Sequence, residues 1–198
     1  MIIMIITTSV LSDKLREYND AAGKIMRMCR DGELFPLTRG IYETDRNAPG
    51  YCIAGAMFGP SYLSFDYALA YYGLIPEAVC TYSSATFNKR KTREIRNAFG
   101  TFTYRDVPGD AFPFGVVLKE EDGYVYRMAS PEKALCDKLY TMPPVTSRKE
   151  IVRMLFEDLR IDQTEFGELD KSGILQIAGK YRCNNLKYLA GYLERRAV

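Results

Sequence analysis

The stretch "FGVVLKEEDGYVYRMASPEKALCDKLY", residues 114 to 140, carries a strand, a turn, a second strand and a helix start within 27 residues. Its two runs "FGVVLK" and "YVYRMA" are apolar, β-branched and aromatic, and "EEDG" between them is a turn signal, so they read as a hairpin. Ser130 then stands as an N-cap, Pro131 takes the first helical position, and Glu132 falls in the first turn. Ala134, Leu135 and Leu139 turn inward, and the "PP" at 143 and 144 ends the helix. Upstream, "AVCTYSSATF" and "GTFTYRDV" are further strand candidates. Before them Ser64 opens "SFDYALAYYG", with Phe65, Ala68, Leu69 and Tyr72 at helical spacing and Gly73 as the stop. Downstream, "SRKE" at 147 to 150 is a capping box ahead of Ile151, Leu155 and Leu159. The chain closes on Leu186, Leu189 and Leu193 as helix, through "NNLKYLAGYLERR". The expected class is α+β: a mixed or antiparallel sheet packed with helices, and a helical C-terminus.

With 198 residues, 47% hydrophobic and 26% charged, the composition is that of a soluble globular protein of one domain, or of one with a small appendage. Cys29, Cys52, Cys80, Cys136 and Cys183 are widely spaced and never form a CxxC pair, which points to reduced thiols in a cytoplasm. The fold is therefore expected to need neither metal nor disulfide. The apolar start "MIIMIITTSVLS" has no basic residue ahead of it and is too short to span a bilayer, so it reads as the beginning of a strand or helix, and no membrane association is expected. There is no histidine, which removes imidazole nucleophile pairs, imidazole bases and imidazole metal sites together.

Residues 11 to 31 read as two short helices broken at "NDAAG". In the second, Ile25, Met28 and Cys29 share one side, and Lys24, Arg27 and Arg30 the other. Gly32 stops it, and "GELFPLTRGIYE" follows as two short apolar runs around "TRG", with Arg39 near the tip. Helix, turn, basic helix and hairpin is the order of a winged helix-turn-helix, whose second helix enters the major groove. The same residues also suit a small helical cap with a solvated basic face.

A second concentration of charge lies in "TFNKRKTREIRN", residues 86 to 97. Lys89, Arg90, Lys91, Arg93 and Arg96 stand there against Glu94 alone, a net +4 in a chain that nets +2. Such a run belongs in solvent or against an anion, on a sheet edge or connecting loop. Two stretches resemble enzyme patterns. Ser130 and Lys133 spell S-x-x-K without the partner motifs of that chemistry, and the cap explains them. Asp106, Asp110, Lys119 and Glu120 have no spacing that makes a nuclease. No phosphate-loop or dinucleotide motif is present, and no catalytic residue or cofactor is expected.

Taken in order, "KIMRMCRDGELFPLTRGIYE", "YLSFDYALAYYGLIPE", "SSATFNKRKTREIRNAFGTFTYRDV" and "MASPEKALCDKLY" resemble the AbiEi family of type IV antitoxins and transcriptional regulators, over roughly residues 24 to 140. The resemblance implies a winged-helix module over 1–46 and an antitoxin-type α/β domain with a helical end over 47–198. It implies repression of the chain's own operon by binding operator DNA, and action against a cognate nucleotidyltransferase toxin without a stable complex. Lys24, Arg27, Arg30 and Arg39 would then contact DNA. Lys89, Arg90, Lys91, Arg93 and Arg96 would form a second polyanion contact, on DNA or on the toxin's RNA substrate. The alternative is an interaction module that binds no DNA and sets its basic segment on an acidic partner or RNA.

Overall fold

In the computed structural model, which describes residues 5–195, the chain begins with β1 (Ile5–Thr7), α1 (Thr8–Lys14) and α2 (Ala21–Arg30), then the hairpin β2 (Phe35–Thr38) and β3 (Ile41–Glu43). Next come α3 (Gly50–Met57), β4 (Tyr62–Leu63), α4 (Phe65–Tyr71), β5 (Thr81–Thr86), β6 (Arg93–Asn97) and β7 (Gly100–Asp106). The hairpin β8 (Val116–Glu121) and β9 (Tyr124–Ala129) leads into α5 (Pro131–Thr141). The C-terminal part is α6 (Arg148–Arg153), a π-helical turn at Met154–Asp158, α7 (Gln163–Glu168), α8 (Lys171–Ala178) and α9 (Asn184–Glu194). The protein is α+β. Residues 1–4 of the apolar start and Arg196 of the closing helix lie outside the described residues.

The larger sheet runs β6-β7-β5-β4-β9-β8 and is mixed: β5 pairs parallel with β7 and β4 with β9, while the other pairs are antiparallel. The β8–β9 turn carries Asp122 and Gly123 at φ 50° and 80°, the two positive angles that a type I′ hairpin requires. α5 is capped as its sequence reads, Ser130 Oγ accepting from the Lys133 N–H at 3.2 Å. Among the elements without a counterpart in the sequence reading are β6 and α3. β6, "REIRN", holds one apolar residue, Ile95, and is the sheet's edge. α3, "GYCIAGAM", is apolar nearly all round and so buried among β4, β5 and β9, which removes the polar face that helical periodicity depends on.

The N-terminal portion forms a three-stranded antiparallel sheet, β1-β3-β2, over a small core of Ile6, Leu11, Ile25 and Leu34. It is docked on the rest: Leu37 belongs to the main core, Asn97 Nδ2 donates to Leu37 O at 2.9 Å, and Phe35 meets Phe99 edge-on. The expected boundary at 46–47 falls in the loop after Glu43, whose buried carboxylate accepts from the Thr44 and Asp45 N–H groups at 2.7 and 3.0 Å.

At the centre, α5 brings a buried ion pair, Lys133 Nζ to Asp137 Oδ1 at 3.1 Å, with neither side chain exposed. Lys133 also donates to Ala111 O at 2.8 Å and to the Tyr181 hydroxyl. Asp137 accepts from Ser64 Oγ at 2.7 Å, Tyr62 OH at 3.0 Å and Tyr181 OH. One carboxylate thus ties α5 to β4, to the start of α4 and to the α8–α9 connection. Burial pulls the Lys133 ammonium below its ordinary pKa, against the pull of Asp137, while burial and the Asp137 charge push both tyrosines up. Gly115, at φ 65°, lies so close to the lysine stem that a Cβ there would stand 2.8 Å from Lys133 Cβ.

Three surface carboxylates, two exposed and Glu150 half-buried, are held below their ordinary values. Arg160 lowers Glu77, the Thr146 N–H and hydroxyl lower Glu150, and the Ser172 hydroxyl with the Gly173 N–H lowers Asp170. A folded value below the unfolded one adds stability at neutral pH that is lost as pH falls through the folded value. The melting temperature is therefore expected to hold from neutrality to just above 4.5, the ordinary Glu value, and to decline below it. A pH series of thermal melts measures this. A curve that rises on acidification contradicts the assignment.

Candidate nucleic-acid interface

α2 begins at Asp20, whose Oδ1 accepts from the Gly23 N–H at 2.8 Å, and places Lys24, Arg27 and Arg30 along one side as the spacing requires. Arg27 and Arg30 are exposed and Lys24 is half-buried. Arg30 Nε lies 3.0 Å from Asp31 Oδ1, a solvated pair that costs little to break. Both arginines also sit in the last turn, where cations suit the helix dipole without any ligand.

Arg39 is exposed in the β2–β3 turn, beside Gly40 at φ 79°. It lines a groove of about 440 Å³ between α2 and the hairpin, together with Ile25, Met26, Cys29, Pro36 and Tyr42. The groove joins Arg39 to α2 through its apolar side. Lys24, Arg27 and Arg30 stand outside that lining, so of the four residues Arg39 alone borders the groove. Met26, in the lining, is 74% exposed.

The basic stretch is divided by its structure. Lys89 and Arg93 lie over the Phe58 ring at 5.2 and 4.9 Å, and Lys89 Nζ donates to Gly59 O at 2.9 Å. Arg96 Nε donates to Glu94 Oε1 at 2.6 Å on the exposed side of β6. Arg90, at φ 57°, is fixed through its backbone: its N–H donates to Asp106 Oδ2 at 2.7 Å, and Thr86 Oγ1 donates to Oδ1 of the same carboxylate at 2.7 Å. Asp106 thereby holds the loop that presents Arg90 and Lys91. These two, with Thr92, Arg105 and Thr141, line a surface cleft of about 500 Å³. Of the five cations, the structure thus brings Arg90 and Lys91 together, sets Lys89 and Arg93 on Phe58, and leaves Arg96 with Glu94.

Arg105 was not among the residues read from the sequence. The signal for it is the period-two alternation in "TFTYRD": Phe102 and Tyr104 are buried, so Thr103 and Arg105 share the other face. β6 pairing with β7 then sets Arg105 beside the basic stretch. Among the described residues no three His, Cys, Asp or Glu side chains group as metal ligands, and no helix is long and apolar enough to cross a membrane. All five cysteines are unpaired, and burial pushes the Cys52 thiol up to about 12. Compared with family models and with curated proteins, the chain matches none.

Proposed function

We propose that this chain is a DNA-binding regulator of the antitoxin type, using α2 and the β2–β3 hairpin on operator DNA and opposing a nucleotidyltransferase toxin. The observation that carries the DNA reading is the joining of a basic helix to a hairpin with an arginine in its turn, the two flanking one groove. The order β1-α1-α2-β2-β3, with its three-stranded antiparallel sheet, fits a winged-helix module in which two described helices precede the wing. The antitoxin part rests on the resemblance over residues 24 to 140.

A fluorescence-anisotropy titration tests it. The protein is expected to prefer the DNA upstream of its own gene over random duplex of equal length. Arg27→Ala relaxes that preference where the side chain reaches a base edge, and weakens all sequences alike where it touches only phosphate. Equal affinity for both DNAs refutes the regulator reading.

A second reading is favoured by the groove itself. Ile25, Met26, Cys29, Pro36 and Tyr42 are apolar for a phosphate surface and suit a protein partner with an apolar ridge, the cations then meeting acidic residues around it. Met26→Lys separates the two: it strengthens or spares DNA binding and abolishes a protein contact.

A further inference from the structure

The outward face of the β8–β9 hairpin breaks the pattern of its own strands. Tyr124, Tyr126 and Met128 are buried on one side of β9, so Val125 and Arg127 turn to the other, where a surface strand ordinarily carries polar residues. Arg127 fits that expectation, but Val125 is 65% exposed. The register sets Val125 opposite Glu120 and Arg127 opposite Leu118, so these four side chains form a square on one face of the ribbon. Leu118 is 69% exposed, and Glu120 is exposed beside it. Lys119 turns to the opposite side, where it lies over the Tyr71 ring at 4.5 Å.

The square is ordered. Leu118 and Val125 occupy one diagonal, and Glu120 and Arg127 occupy the other. Among the described residues neither of these two charged side chains has an ion pair or a hydrogen bond. Two apolar groups in water and two unpaired charges of opposite sign therefore share one small patch.

We infer that this face binds a second copy of the chain, face to face about a two-fold axis. Such an interface requires one patch to complement itself. An axis in the plane of the sheet, along the apolar diagonal, lays Leu118 on Leu118 and Val125 on Val125 of the second copy, and it exchanges the ends of the charged diagonal. Each Arg127 then meets the other copy's Glu120. An axis along the charged diagonal would lay like charge on like, and an axis along or across the strands would lay each charge on an apolar side chain, so the four residues select one axis. With neighbouring strands about 4.8 Å apart and residues i and i+2 about 6.8 Å apart, this axis lies about 35° from the strands. The two hairpins then cross at roughly 70°, toward the orthogonal class of sheet packing.

The contact lies on the face of the sheet and uses neither of its edges. A net charge of +2 opposes it little. The patch is small, which places the contact among weak interfaces below about 1,200 Å², with a dissociation constant on the order of 100 μM. The inference does not rest on DNA or toxin binding, since none of the four residues belongs to α2, the β2–β3 hairpin or the basic stretch.

Sedimentation equilibrium of the full chain at low salt, from low micromolar to near-millimolar protein, tests it. A monomer–dimer equilibrium with no larger species is expected. Glu120→Arg brings arginine against arginine and Arg127→Glu brings glutamate against glutamate, so each variant alone is expected to associate about tenfold or more weakly. Mixed in equal amounts, the two are expected to form a mixed dimer, because every arginine then faces a glutamate. The double variant Glu120→Arg, Arg127→Glu recovers self-association. Leu118→Thr, which keeps a strand former at an exposed position, weakens the dimer while the melting temperature stays unchanged. A chain that remains monomeric near millimolar concentration overturns the inference and leaves the face to another protein or to solvent. Association undiminished in both single variants overturns it as well, as does a mixture no more dimeric than its parts. Assembly beyond the dimer also overturns it, since a two-fold contact closes on itself.

Discussion

Lys133→Met is expected to destabilise the fold by about 3–5 kcal/mol, the cost of leaving a buried carboxylate without its cation. For a chain of this size that corresponds to a fall in melting temperature on the order of 10 °C. The loss stands in the upper part of the roughly 2–5 kcal/mol range of core truncations because the ammonium serves three partners at once: Asp137, the Ala111 carbonyl and the Tyr181 hydroxyl. Adding Asp137→Leu does not restore stability fully, since Tyr62, Ser64 and Tyr181 then lose their shared acceptor. The double variant nevertheless costs less than the sum of the two single ones, because it leaves no lone charge buried. Denaturant titrations of the four proteins in this cycle measure the coupling directly. Additive losses would mean that the pair does not act as a unit.

The affinity for operator DNA is expected to fall by several thousandfold between roughly 50 and 200 mM salt, as about seven cations release condensed counterions. Lys24, Arg27, Arg30 and Arg39 account for four of these, and Arg90, Lys91 and Arg96, the members of the basic stretch that do not lie on Phe58, for the rest. The triple variant Arg90→Asn, Lys91→Gln, Arg96→Gln reduces the fall to about a hundredfold by flattening the log–log slope by up to about three units. Asparagine is chosen at position 90 because φ there is 57°, where it is better tolerated than most side chains. Surface replacements of this kind stay within about 0.5 kcal/mol each, so the melting temperature serves as the control. An unchanged slope in a folded triple variant returns these residues to the role of a solvated face.

The elements legible in the sequence were those whose local chemistry agreed with their place in the fold. The β8–β9 hairpin has its Asp122-Gly123 turn, and α5 has Ser130 and Pro131 at its start, so each was readable alone. α3 was not, because its exposed positions, Gly55 and Ala56, are small and carry no polar group to mark a periodicity, nor was β4, whose two residues are strand only by pairing with β5 and β9. The break between the first helices falls before "AAG" rather than within it, because Asp20 caps α2 and draws Ala21 to Gly23 into the helix. The cations on α2 and in the basic stretch could be counted from the sequence, but their partners could not. Phe58 lies some thirty positions from Lys89, and Thr103, Arg105 and Lys138 meet only through the sheet and α5.

The edge position of β6 gives its charges a further consequence. An edge strand offers unpaired backbone groups along its outer side, a template on which another chain can add. One end of β6 is covered where Asn97 reaches Leu37, and the remainder carries Arg93, Glu94 and Arg96. Those side chains make stacking of a second strand electrostatically costly, so they guard the protein against self-association whatever they bind. Replacing Arg93 and Arg96 together with uncharged β-formers would leave "Ile95" flanked by a bare ribbon, and the expected result is loss of solubility on concentration long before any loss of fold.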